Sequence, residues 1–468
     1  MAEQTTTPGS VARAALIPLA LAQFICSFAG SNMNVMINDM SKDLHTTVHG
    51  IQVAITVFLL VMAALMIPAG KLTDKYGRKR CFNLGLAVYG VGALLSAFAP
   101  GLGVLILGNS ILEGVGTALL IPPVYILATL MFTGVTARAK AFGTISAMAG
   151  LGAAAGPLIG GLITTSISWR AAFIFQALVI AAIVVLGRRM VDPKPADPAR
   201  PFDMRGAALS AVGLILLVMG IMAASVNVWL MVGLLVGAAV VLAGFFWSVR
   251  RKERAGQEPL LSTAMFRNHT SNLGLITQNA QWLMLMGIAF VVSAYLQVVR
   301  GYNAIETGFI FTAATIGLLL ASVRAERLST RFSQRGLIVV GFLVAIVGVG
   351  VLLAMAYGVS QIIATWPGLF LIGAGVGLMM TPSVNVVQSS FGEDQQGEIS
   401  GLSRSVSNLG SSMGTAIAGT ILVVGIGTNP GASYAFAMIA LAAVGLIGMT
   451  AAVLMPRTQA ARAAPQPV

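Results

Sequence analysis

The chain has 468 residues, 57% of them hydrophobic and 9% charged, with a mean hydropathy of +0.89. A soluble domain carries about a quarter charged residues, so this chain lacks the polar surface that water requires and needs lipid as its solvent. The net charge of +13 does not point to nucleic acid, because the basic residues sit in short gaps between apolar runs, where they act as a membrane topology signal. Cys26 and Cys81 are far apart and give no disulfide framework, and His45, His49 and His269 form no ligand cluster. No metal or cofactor is expected, and with no nucleophile motif neither is an enzyme.

The first ten residues are polar and lack a basic region, and the apolar run that follows is too long for a cleaved signal. It is read as a retained first span. A spanning helix needs about 20 mostly apolar residues. Runs of that kind lie at 14–37, 50–70, 81–99, 103–130, 139–163 and 170–188. Two more, 205–224 and 228–249, are set apart by the polar gaps 189–204 and 250–270. The rest are 271–297, 304–323, 336–356, 361–386, 399–425 and 431–455. The expected fold is an all-α membrane protein of fourteen transmembrane helices, arranged 6 + 2 + 6. It divides into an N-terminal six-helix half (1–188), a central two-helix hairpin with its linkers (189–270) and a C-terminal six-helix half (271–468).

Charge placement tests this count. With the N-terminus inside, every Lys and Arg except Lys42, Arg170 and Arg300 falls in a cytoplasmic gap or at a terminus, through to Arg462. Cytoplasmic loops are the basic ones, so both termini are expected inside, in the cell (inner, cytoplasmic) membrane. The second helix of each half is followed by a related segment, Leu72-Thr73-Asp74-Lys75-Tyr76-Gly77-Arg78-Lys79 and Leu328-Ser329-Thr330-Arg331-Phe332-Ser333-Gln334-Arg335. Parallel repeats of this sort are common in transporters, whose binding site lies between the repeats.

Gly70-Lys71-Leu72-Thr73-Asp74-Lys75-Tyr76-Gly77-Arg78-Lys79-Arg80 resembles the loop signature of the major facilitator superfamily, G-x-L-x-D-x-x-G-R-[RK], in residues and in place. Gly70 and Gly77 suit tight turns, and Asp74 among bases suits an interhelical ion pair or a helix cap. In the fifth run, Gly152-Ala153-Ala154-Ala155-Gly156-Pro157-Leu158-Ile159-Gly160-Gly161 resembles the antiporter motif of the fourteen-helix drug–proton exchangers in that superfamily, and Ser168-Trp169-Arg170 also fits. Gly152, Gly156 and Gly160 share one bare face for close helix approach, and Pro157 removes a backbone hydrogen bond. Gly401 to Gly419 is similar to the penultimate helix of such exporters. Two departures stand out. Where relatives have an R-x-x-Q-G pattern in the fourth helix, this chain has Ser110-Ile111-Leu112-Glu113-Gly114, and an acid midway along the first helix is replaced by Ser31 and Asn34. The family's proton-coupling residues therefore cannot be copied across.

Glu113 is the acid deepest inside a run. Entering from Gly103 at 1.5 Å per residue, it lies roughly 15 Å in, about the midplane of a 30 Å core. A charge there costs at least ~2.5 kcal/mol, which suits Glu113 to loading and releasing protons and to attracting a cationic substrate. Its bland alternative is a protonated acid that only bonds a neighbouring helix. Gln23, Ser27, Ser31, Asn34 and Asn38 recur three or four residues apart and share a helical face. With Gln278, Gln281 and Trp282, and with Asn385, they are candidates to line a substrate cavity. The resemblance implies a proton-coupled secondary transporter working by alternating access. It exports small amphipathic or toxic molecules, as multidrug efflux, with protons as the coupling ion. An exporter of one lipid or metabolite is the alternative. A monomer in the lipid bilayer is expected.

Overall fold

The structure, a computed structural model, describes residues 8–132, 135–188, 190–193, 196–199, 201–328, 331–358, 365–392 and 395–456. Ser329, Thr330 and Arg462 lie outside them. Among the described residues, fourteen helices are long and apolar enough to cross a membrane. They are α1 Ala15–Asp43, α2 Val48–Tyr76, α3 Arg78–Ala97, α4 Leu102–Met131, α5 Lys140–Ser166, α6 Trp169–Gly187 and α7 Met204–Ala223. The series continues with α8 Val228–Arg254, α9 His269–Val299, α10 Ala304–Ala325, α11 Gln334–Ala354, α12 Trp366–Gln388, α13 Gln396–Gly425 and α14 Pro430–Leu454. An all-α architecture follows from the solvent, since in lipid every backbone polar group must be satisfied within the segment. Large apolar side chains such as Leu178, Val240 and Leu446 stay exposed on the helix surfaces, as a lipid-facing surface requires.

Short polar side chains set the helix starts. Thr47 Oγ1 accepts from the Gly50 N–H, Asn227 Oδ1 from those of Trp229 and Leu230, and Asn429 Oδ1 from that of Ala432. Three of the described helices are irregular, α9 through a π-helical stretch over Tyr295–Val299. α1 tightens to a 3-10 turn over Met33–Met36, and α4 loosens to a π-helix over Ile106–Glu113.

The chain forms two compact units, Met1–Ser262 with Val292–Phe309, and Thr263–Val291 with Ile310–Val468. The hairpin α7–α8 thus belongs to the first unit. Its linkers are fastened there by charge. Lys71 Nζ pairs with Glu258 at 2.7 Å, and Lys252 Nζ pairs with Asp203 at 2.6 Å. Asp203 also accepts from the N–H groups of Gly206 and Leu260. Burial opposes the charge of Asp203, but Lys252 and these two donors outweigh it and hold the carboxyl below its usual range.

Glycine-on-backbone packing builds both units. In the first, Gly152, Gly156 and Gly160 of α5 lie against Phe24, Ser31 and Asn32 of α1. In the second, Gly410 and Gly414 of α13 lie against the carbonyls of Asn279 and Leu283 of α9.

Candidate functional site

Glu113 is completely buried in the first unit, at 0% exposure. It stands on the last residue of the π-helical stretch of α4, facing α3. Its Oε2 accepts from Asn109 Nδ2 at 3.3 Å and its Oε1 from Ser96 Oγ at 3.5 Å. The Tyr89 hydroxyl, also on α3, lies beside the same carboxyl and donates to Gln176 Oε1 of α6. Tyr89, Ser96, Asn109 and Gln176 are all fully buried. A charged carboxylate only accepts hydrogen bonds, whereas a protonated one must also donate. The Asn109 amide nitrogen cannot accept that proton, but the hydroxyls of Ser96 and Tyr89 can. The cluster therefore has two hydrogen-bonded arrangements, one for each protonation state. Its hydrogen-bonding groups come from α3, α4 and α6.

The backbone explains this placement. A Cβ on Gly92 would stand 2.7 Å from the Gly108 carbonyl oxygen and 2.9 Å from the Glu113 nitrogen, so α3 and α4 touch through backbone there. Gly85 meets the Gly116 carbonyl oxygen in the same way at 3.0 Å. A π-helical stretch holds one more residue in its turn than an α-helix and often marks functional sites.

The loop between α2 and α3 turns at Gly77, whose φ of +97° suits glycine. Asp74, at the end of α2, receives Arg78 Nη2 at 2.9 Å, which joins α2 to the first residue of α3. The start of α3 is capped by Asp192, whose Oδ2 accepts from the N–H groups of Arg78 at 2.7 Å and Lys79 at 3.2 Å. Lys79 Nζ reaches the Arg188 carbonyl, Leu72 accepts from Cys81 through its carbonyl, and Gly70 lies open apart from Pro122. Asp192 carries no local sequence signal; the linker brings it from far along the chain.

The other candidates separate into groups. Along α1, Gln23 is buried and donates to Ser27 Oγ, while Ser27 and Ser31 are half-buried. Ser31 packs against Gly156. Asn34 and Asn38 are taken up by Gln297 of α9, through backbone groups. Pro157 and Gly161 pack against Gly308 and Ala304 at the start of α10. In the second unit, Gln278 and Gln281 are buried and accept from Ser403 of α13 and Ser383 of α12, while Trp282 and Asn385 are half-buried. Both glutamines there join helices. At α6, Asp43 accepts from Trp169 Nε1 at 2.9 Å and pairs with Arg170.

The model of the Major Facilitator Superfamily matches residues 19–415. The puromycin resistance protein pur8 of Streptomyces alboniger is 29% identical over 456 residues, spanning 93% of this chain and 89% of its own. The multidrug efflux pump LfrA of Mycolicibacterium smegmatis is 30% identical over 374 residues, 78% of this chain and 72% of its own. The riboflavin transporter RibZ of Clostridioides difficile is 25% identical over 408 residues, 86% of each chain. A crystal structure of the peptide transporter POT superposes with a TM-score of 0.70 at 17% identity, over 97% of this chain and 99% of that one, and shares its fold.

Proposed function

Because this chain belongs to the major facilitator superfamily, we propose that it exports amphipathic, toxic small molecules in exchange for protons by alternating access. Drug export is supported by relatives named for puromycin resistance and multidrug efflux, which align over most of both chains. Proton exchange rests on a single observation, the wholly buried carboxyl of Glu113 on the π-helical turn of α4, ringed by groups that serve either protonation state. Complete burial supports a proton-carrying role for Glu113 over contact with a cationic substrate. Loss of the proton turns the bonds of Ser96 and Tyr89 round and so bears on the α3–α4 contact at Gly92. Asp74, Gly77 and Arg78 at the loop, and the α5 glycines against α1, govern the conformational exchange. The one-sided basic residues support a cytoplasmic-membrane location with both termini inside.

The similarity to a riboflavin transporter favours a second reading, export of one metabolite or lipid by the same fold. Purified protein in proteoliposomes, given an imposed pH gradient and a panel of unrelated lipophilic cations, neutral antibiotics and a flavin, separates the two. Gradient-driven movement of several unrelated compounds is expected. Movement of a single compound selects the second reading, and transport indifferent to the gradient overturns proton exchange.

A further inference from the structure

In an uninterrupted α-helix the N–H of residue 38 bonds the carbonyl of residue 34. In α1 the 3-10 turn Met33–Met36 interrupts the regular helix between these two residues, and Met36 sits at φ −109° and ψ 6°. The side-chain amide of Gln297 stands in the gap. Its Nε2 donates to the Asn34 carbonyl oxygen at 2.7 Å, and its Oε1 accepts from the Asn38 N–H at 3.1 Å. One primary amide thus bonds both groups of an i, i+4 helical pair, as an inserted peptide unit would. Gln297 is buried, at 2% exposure, and lies on the π-helical stretch Tyr295–Val299 of α9, so irregular turns of two helices meet at this one side chain. The same end of the first unit is closed around it. Gly308 abuts the Pro157 carbonyl, Gly161 abuts that of Ala304, and the Ile305 N–H donates to Thr165 Oγ1 at 3.1 Å.

We infer that Gln297 is a positioning residue that holds this end of the transport path shut by taking the place of a peptide group in α1. When the amide withdraws, the Asn38 N–H and the Asn34 carbonyl close on each other and α1 rewinds. Buried backbone groups are costly without partners. With this exchange neither state strands them, so the closed contact parts without that cost. The inference rests on alternating access, but its readouts are the helix and the closed end, while gradient-driven transport by the unaltered protein tests alternating access separately.

The test uses the full chain, whose own cysteines Cys26 and Cys81 are buried, carrying Ala304→Cys at a site with 1% exposure. A membrane-impermeant thiol reagent reads closure, and hydrogen exchange of the peptide spanning residues 34–43 reads α1. Gln297→Met keeps the length of the side chain but removes both bonds. It is expected to raise labelling at least about tenfold, equivalent to 1.4 kcal/mol per decade, with exchange of the α1 peptide no faster than in the parent. Faster exchange in Gln297→Met means α1 stays broken and overturns the proposal, as does unchanged labelling in it.

Discussion

The α3–α4 pair of the first unit and the α11–α12 pair of the second are joined by the same contact, made twice in each. Gly85 and Gly92 approach the carbonyls of Gly116 and Gly108, and Gly341 and Gly348 approach those of Gly375 and Gly368. The match extends to single atoms. A Cβ on Gly92 would meet Glu113 N at 2.9 Å, and one on Gly348 would meet Ile372 N at 2.8 Å. Glu113 therefore corresponds to Ile372, and by the same contacts Tyr89 corresponds to Ala345 and Ser96 to Leu352. From Gly108 to Glu113 the chain has one residue more than from Gly368 to Ile372. That residue is the π-helical insertion. The second unit has an apolar, regular version of the contact. The first has the same contact with an added residue, a carboxyl and two hydroxyls. The repeat thus supplies its own control, in which the glycine contact is architecture and the difference is what the proton reading needs.

Perturbations that probe this comparison fall in order of their effect on the fold. The largest is Gly92→Ala or Gly348→Ala, since either methyl meets opposing backbone. Each is expected to cost about 3 kcal/mol, read as a comparable drop in thermal stability in detergent. A loss at one position alone breaks the equivalence. Deleting Ile111, which is 40% exposed within the insertion, gives α4 the spacing of α12. The fold is expected to hold, as the same contact does in α12 without the added residue, while the transport response to a pH gradient weakens because Asn109 and Glu113 become three residues apart and lose their bond. A response that survives the deletion separates the π turn from coupling.

Much of this was legible in the sequence. Fourteen apolar runs and basic residues confined to alternate gaps set the helix count, and the loop and α5 motifs set the family. Helix ends were less so, because a helix does not stop where the apolar run does; α8 continues through Arg250 and Lys252 to Arg254. Glu113 was visible as an acid alone in an apolar run. Its partners Tyr89 and Gln176 come from other helices, and nothing local marks them. Asp192 and Gln297 were invisible for a related reason: each serves backbone groups distant in sequence, and an Asp in a linker or a Gln near a helix end looks ordinary. The π turn did leave a trace, the extra residue between the glycines of α4 relative to those of α12, but it acquires meaning only once the two pairs are matched in space.

Glu113→Gln disturbs the fold least, because glutamine keeps the size of the side chain, and it bears most directly on the role of the carboxyl. The measurement is substrate accumulation in proteoliposomes as a function of imposed pH gradient, for the parent and the variant side by side. One charge moved through about 100 mV is worth ~2.3 kcal/mol, roughly a 45-fold gradient. The parent is expected to build a gradient on that scale, and the variant to insert normally yet only equalise substrate across the bilayer. A variant that accumulates substrate like the parent, with the same dependence on pH, contradicts Glu113 as the proton carrier.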